Sequence, residues 1–198
     1  VIPQTVPVLE DGSIDIEVAI GKVKSDDMHF PRTKLLCLEN TYNGKPLSPK
    51  YMQCATAAAR KVNLRSHLDG ARLMNAAIAN KCTPRELASS FDTVSLCLSK
   101  GLGAPVGSVL VGNQDFINEA RRVRKMLGGG MRQAGILAAC GIVALKNQVD
   151  RLIQDHALAA RLASELAQIP DIETEPQGAN TNMVFIKVEH KHLSLIHI

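Results

Sequence analysis

The stretch Leu64-Arg65-Ser66-His67-Leu68-Asp69-Gly70-Ala71-Arg72-Leu73 decides the fold. A short apolar run stops at Asp69-Gly70, a turn signal, and a helix carrying Leu73, Ala76 and Ala77 follows. Alternation along the strand puts His67 and Asp69 on one face, with Arg72 a helical turn further on. A strand has therefore delivered a carboxylate to its end and handed the chain to a helix.

The same unit recurs outward. Upstream, the apolar run at residues 34–39 enters the turn Asn40-Thr41-Tyr42-Asn43-Gly44. Ser48-Pro49 then reads as an N-cap with proline in the first turn, opening a helix whose Met52, Ala55, Ala59 and Val62 share a face. Downstream, Thr83-Pro84 opens a short helix to about residue 90, and strands are expected at 94–98 and 107–112. A basic amphipathic helix follows at 114–126, a buried apolar helix at 131–145 and a long amphipathic helix at 150–168. Residues 172–174 and 183–188 read as late strands. Short apolar strands alternating with helices define an α/β layer fold, with a mostly parallel sheet whose strand ends carry the polar residues.

Composition narrows the function. The 198 residues are 45% apolar and 21% charged, a globular balance for one domain and part of a second. A net charge of +4 without a basic block, and only 3% aromatics, argue against nucleic acid as a partner. The longest apolar run is too short to span a membrane, so no membrane partner is expected. Five cysteines without a C-x-x-C spacing suit scattered thiols in a reducing compartment, read here as the cytoplasm. Three histidines near the C-terminus lack an accompanying acid or thiol set, and no metal site is expected.

Three features carry chemistry. An arginine beside Asp69 would keep its carboxylate ionised and fit to hold a proton on a pyridine-like nitrogen. The same residues also read as a strand-end helix cap with an Arg72 ion pair. In Leu98-Ser99-Lys100-Gly101-Leu102-Gly103-Ala104-Pro105-Val106-Gly107-Ser108, a lysine stands at the end of an apolar strand before Gly-x-Gly. A partly desolvated amine there would suit condensation with an aldehyde, whereas the plain alternative is a solvated lysine in a turn. The glycine spacing matches neither a dinucleotide fingerprint nor a P-loop. Finally, Arg124-Lys125-Met126-Leu127-Gly128-Gly129-Gly130-Met131-Arg132-Gln133 ends a cationic helix and places Arg132 at the start of an apolar one. There it could hold an anion or form a structural ion pair.

Together these strings, with Asp27-Met28-His29-Phe30-Pro31-Arg32-Thr33, Leu38-Glu39-Asn40-Thr41 and Thr181-Asn182-Met183-Val184-Phe185, resemble the low-specificity L-threonine aldolases over about residues 10–188. The resemblance implies pyridoxal 5'-phosphate as cofactor and the aspartate-aminotransferase type of fold. Residues 1–145 would be part of the cofactor-binding large domain, 146–188 a connecting helix and the start of a small domain, and 189–198 an unstructured tail. It implies that Lys100 joins the cofactor aldehyde, Asp69 faces the ring nitrogen and Arg72 contacts the phenolic oxygen. His29 would stand near the substrate β-hydroxyl, with Lys125 and Arg132 lining the substrate site. The implied reaction cleaves L-threonine or L-allo-threonine to glycine and acetaldehyde in a homo-oligomer. Another enzyme of the same fold, a transaminase or β-eliminating lyase, is the alternative, as is an inactive truncated product.

The chain departs from the family pattern in three ways. Tyr42 stands where many members have histidine. The family's phosphate loop and its ring-stacking histidine precede the matching stretch, and its arginine for the substrate carboxylate follows it. The chain is accordingly read as a fragment, expected on its own to bind the cofactor weakly and to turn over little.

Overall fold

A computed structural model defines residues 2–175 and 179–188. The elements run α1 (Ile16–Gly21), β1 (Leu35–Glu39), α2 (Pro49–Lys61), β2 (Arg65–Asp69), α3 (Leu73–Ala79), α4 (Pro84–Ala88), β3 (Thr93–Cys97) and β4 (Ser108–Val111). They continue with α5 (Gln114–Met126), α6 (Gly135–Asn147), α7 (Leu152–Leu166), β5 (Ile172–Thr174) and β6 (Ile186–Val188). The tail expected at 189–198 lies outside the described residues.

Local chemistry starts the helices. Ser48 accepts from the Tyr51 N–H ahead of Pro49, and Thr83 forms a full capping box with Glu86 ahead of Pro84. Neither motif needs a distant neighbour. Helix α1, capped by Asp15, was not anticipated, because its short sequence buries no residue that would give a clear period.

Strands β1, β2 and β3 pair in parallel and β4 adds antiparallel to β3, giving the order β1-β2-β3-β4. Parallel neighbours require crossovers, and α2 supplies the one between β1 and β2, while α3 and α4 supply the next. A first core unites Leu38, Leu68 and Val94 of the sheet with Met52, Leu73 and Leu87 of these helices. A second gathers Leu98, Leu102 and Ala104 around Ala144 of α6 and Leu152 of α7. A separate antiparallel pair, β5 with β6, follows α7.

The expected buried helix at 131–145 is corrected in two respects. It begins at Gly135, and only Gly141 and Ala144 within it are buried, leaving Ile136, Ile142 and Val143 on the surface. Being apolar all round does not bury a helix unless packed neighbours surround it. The last strand is likewise confined to residues 186–188 rather than 183–188. Among the described residues, no helix is long and apolar enough to cross a membrane.

One side chain ties β2 to β3 across the sheet's lower end. Asp92 accepts from both the Ser66 N–H (2.8 Å) and the Ser66 hydroxyl (3.0 Å), and Arg65 stands 3.6 Å away. Burial alone would raise the Asp92 carboxyl, but the Ser66 bonds and the cations Arg65 and Arg60 outweigh it and hold it below its usual value. A depressed carboxylate stabilises the fold fully above its unfolded-state value, and this is lost as pH falls through the folded-state value. Asp92→Ala should therefore lower the unfolding free energy at neutral pH by about 1–3 kcal/mol and flatten the stability curve below about pH 4. Denaturant titrations at several pH values measure both effects; an unchanged midpoint would mean that the Ser66 bonds contribute nothing net.

Candidate active site

Parallel pairing sends the C-terminal ends of β1, β2 and β3 to one edge of the sheet. Glu39 and Asp69, the last residues of β1 and β2, are register partners, and Asp69 is in turn opposite Ser95 of β3. Both carboxylates are exposed, while their neighbours Leu38 and Leu68 are buried. The edge is closed by backbone bonds from Asn40 N–H to the Asp69 carbonyl (2.9 Å) and from Gly70 N–H to the Ser95 carbonyl (2.8 Å).

Asp69 does not cap α3. One of its oxygens accepts from the Ala71 N–H at 3.0 Å, closing the turn, while Arg72 occupies the N-cap position without a side-chain bond. No ion pair joins Asp69 to Arg72 among the described residues. The plain reading as a helix cap with its salt bridge is thus not what the chain adopts, and the second Asp69 oxygen is left for another donor.

Past β3 the chain makes the lysine turn. Leu98 and Leu102 are buried in the second core, whereas Lys100 between them is exposed. The Gly103 N–H bonds the Lys100 carbonyl at 2.8 Å, and Gly103 adopts φ +72°, a conformation in which glycine carries no steric penalty. Of the two readings of Lys100, the partly desolvated amine is therefore corrected, and the solvated lysine in a turn is the one the chain adopts. The strand ends at Cys97, and buried leucines hold the backbone while the amine stays accessible.

The charges of this edge act on one another. The Glu39 carboxyl is pushed up first by desolvation and then by the negative charge of Asp69, with Arg72 and Lys100 pulling it back down. The Cys97 thiol also lies within reach of Lys100. Burial alone would raise it, but bonds involving Ser99 and the lysine charge bring it below its usual value. Asp69, Arg72 and Lys100 are thus gathered at one edge, and Glu39, which the sequence reading did not single out for a role, stands among them. The matching Leu38-Glu39 and Leu68-Asp69 pairs at the ends of two apolar runs were the sequence's partial signal, which gains meaning only once β1 pairs with β2.

The other expected residues are placed differently. His29 is exposed on the segment before β1, where its ring Nδ1 and its backbone N–H both lie 2.8 Å from Asp27. These contacts hold the Asp27 carboxyl below its usual value. Lys125 is exposed in the last turn of α5, its stem lying over Gly130. Arg132 is exposed in the turn before α6 rather than at the start of that helix, where it was expected. Among the described residues, no hydrogen bond or ion pair joins these three to the Asp69–Arg72–Lys100 group.

The donor set fits pyridoxal phosphate. It offers an anionic carboxylate with a free oxygen, an accessible primary amine and a guanidinium on one sheet edge. The buried hydroxyl of Thr41, two residues past Glu39, has no hydrogen-bond partner among the described residues.

A mostly parallel α/β sheet thus gathers an acid, an arginine and a lysine along one edge, the edge at which such folds place their ligands. The chain belongs to the beta-eliminating lyase family, which matches residues 1–189. It is 47% identical over 194 residues to the low specificity L-threonine aldolase of Escherichia coli K12, covering 98% of this chain and 57% of that protein. It is 43% identical over 192 residues to low-specificity L-threonine aldolase 1 of Arabidopsis thaliana, covering 94% of this chain and 54% of that one. The chain thus spans a little over half the length of these curated relatives. Its fold is shared with the threonine aldolase of Leishmania major, with a TM-score of 0.77 at 21% identity over 95% of this chain and 56% of that one.

If the edge is one electrostatic unit, Glu39 should report on its members. Asp69→Asn removes a repelling charge and should lower the Glu39 titration midpoint. Lys100→Ala or Arg72→Met removes an attracting charge and should raise it. Carboxyl-carbon NMR titration of Glu39 measures all three, and a midpoint indifferent to each would separate Glu39 from the group.

Proposed function

We propose that the chain carries the cofactor-binding core of a pyridoxal-phosphate-dependent aldolase that cleaves L-threonine or L-allo-threonine to glycine and acetaldehyde. The convergence of Asp69, Arg72 and Lys100 on one sheet edge carries this reading. The names of the relatives select the substrate. Residues 1–145 then belong to the cofactor-binding domain and 146–188 to the connection and the start of a smaller one. The working enzyme is a homo-oligomer acting on a small amino acid in the cytoplasm.

When bound, the cofactor supplies an aldehyde that links to amino groups and a protonated ring that withdraws electrons released as the Cα–Cβ bond breaks. Asp69 holds the proton at the ring nitrogen, for which an anionic partner is required. Lys100 would present its amine to the cofactor aldehyde, and its exposure leaves that amine accessible. Arg72 donates to the phenolic oxygen. His29, oriented by Asp27, removes the proton of the substrate β-hydroxyl directly or through a water. Lys125 and Arg132 line the substrate side.

Two measurements test the proposal. Borohydride treatment after addition of pyridoxal phosphate should place a single label on Lys100 by peptide mapping; a label on another lysine overturns the assignment. In a chain extended to the full length of its relatives, Asp69→Asn should lower glycine release from L-threonine by about a hundredfold, the order expected when a charge-stabilising partner is removed. Unchanged turnover would confine Asp69 to its turn with Ala71. Release of an α-keto acid instead of glycine and acetaldehyde would move the reading to a transaminase or β-eliminating lyase. Labelling without turnover would make the chain a cofactor-binding but inactive product.

A further inference from the structure

The lysine turn is closed by bonds of two origins. Within the turn, the Leu98 N–H donates to the Gly107 carbonyl (2.9 Å), the Ala104 N–H to the Leu98 carbonyl (3.0 Å) and the Gly103 N–H to the Lys100 carbonyl (2.8 Å). The remaining bond arrives from fifty residues away, where the Arg151 guanidinium donates to the Gly101 carbonyl at 2.7 Å. Gly101 is the residue directly after the lysine, so this bond holds the Gly101–Leu102 peptide, the next peptide along from the one that the Gly103 N–H holds at the Lys100 carbonyl.

Arg151 is itself held on every nitrogen. Its Nε donates to Gln148 Oε1 (2.7 Å) and a terminal nitrogen to Asp155 Oδ1 (2.6 Å), which leaves the other terminal nitrogen aimed at Gly101. A planar fork with its other donors committed cannot rotate without breaking them. The neighbours leave little slack. A Cβ on Gly101 would stand 2.8 Å from Leu152 Cδ2, and Asn75, buried on α3, lies 3.6 Å from the same point. The start of α7 is thus seated against the lysine turn, with the charged contact at its centre.

We propose that Arg151 is a positioning residue for Lys100: by holding the Gly101 carbonyl from the start of α7, it sets the direction in which the Lys100 amine leaves the turn. The inference rests on the reading of Lys100 as the cofactor lysine. Arg151 touches neither the amine nor the other charges of the sheet edge, and it acts only through the backbone.

The test is the rate at which pyridoxal phosphate labels Lys100, followed by borohydride quenching and peptide mapping, together with the visible absorbance of the bound cofactor and its pH dependence. Arg151→Met keeps an apolar stem and removes the donors. It should slow labelling of Lys100 by about tenfold or more, as loss of a charge-assisted bond implies, and shift the absorbance profile. Arg151→Lys, which retains one donor, should recover much of the rate. Asp155→Asn with Gln148→Ala leaves Arg151 in place but untethered, and should slow labelling to a smaller extent. Thermal unfolding of each variant separates folding from positioning. A folded Arg151→Met that labels Lys100 at the unsubstituted rate overturns the inference. So would failure of both the Arg151→Met and tether variants to fold, since Arg151 would then serve the fold alone. Labelling at another lysine in the unsubstituted protein would instead overturn the reading of Lys100, and this inference with it.

Discussion

The side-by-side register of β1 and β2 is the constraint from which the candidate site follows. Leu38 faces Leu68 and Glu39 faces Asp69. Both leucines are buried and both carboxylates exposed, so a one-residue slip of either strand would turn a leucine out and a carboxylate in. Burying an unpaired carboxylate costs several kcal/mol, far more than any local preference of these strands could offset. The apolar core therefore fixes where the charges stand. At that edge desolvation raises the Glu39 carboxyl first and the charge of Asp69 adds to it, with Arg72 and Lys100 partly compensating.

The lysine belongs to a different packing unit from the acids it faces. Asp69 ends a strand of the first core, but Lys100 lies between Leu98 and Leu102 of the second, which α6 and α7 complete through Ala144 and Leu152. The relative placement of acid and amine thus depends on how the two cores meet. Leu96 of β3 touches both and supplies one bridge between them. A second link is the contact of α3 with α7, where buried Asn75 lies 3.1 Å from His156.

What the sequence makes legible is what neighbouring residues decide. The strand–turn–helix unit at 64–73 needs only an apolar run, Asp-Gly and a following apolar face, and the Ser48 and Thr83 caps need only their own first turns. Asp69, Arg72 and Lys100 were readable as a group because strand ends of a parallel sheet share an edge whatever else the chain does. The exposure of Lys100 was only one of two readings, since the choice depends on a turn whose leucines find their partners in α6 and α7. Nor was the role of Glu39 among these charges, which required knowing that β1 pairs with β2. Arg151 was visible only as the start of an amphipathic helix. Its ion pair with Asp155 has helical spacing, but its bond to Gly101 spans fifty residues and has no local signature.

Helix α6 shows why an apolar sequence and a buried helix are different things. The residues it buries are small, Gly141 and Ala144, and a Cβ on Gly141 would come within 2.9 Å of Leu98 Cδ1. Small residues let the helix approach closely, while its bulky Ile136, Ile142 and Val143 point away and gain no burial from this contact. The packing requirement on α6 is thus for little volume at one point rather than for hydrophobicity around the whole circumference. That point has consequences beyond the helix, because Leu98 exchanges backbone bonds with Gly107 and Ala104 on either side of the lysine turn. A larger residue at 141 would press on Leu98, whose backbone bonds close the turn that carries Lys100.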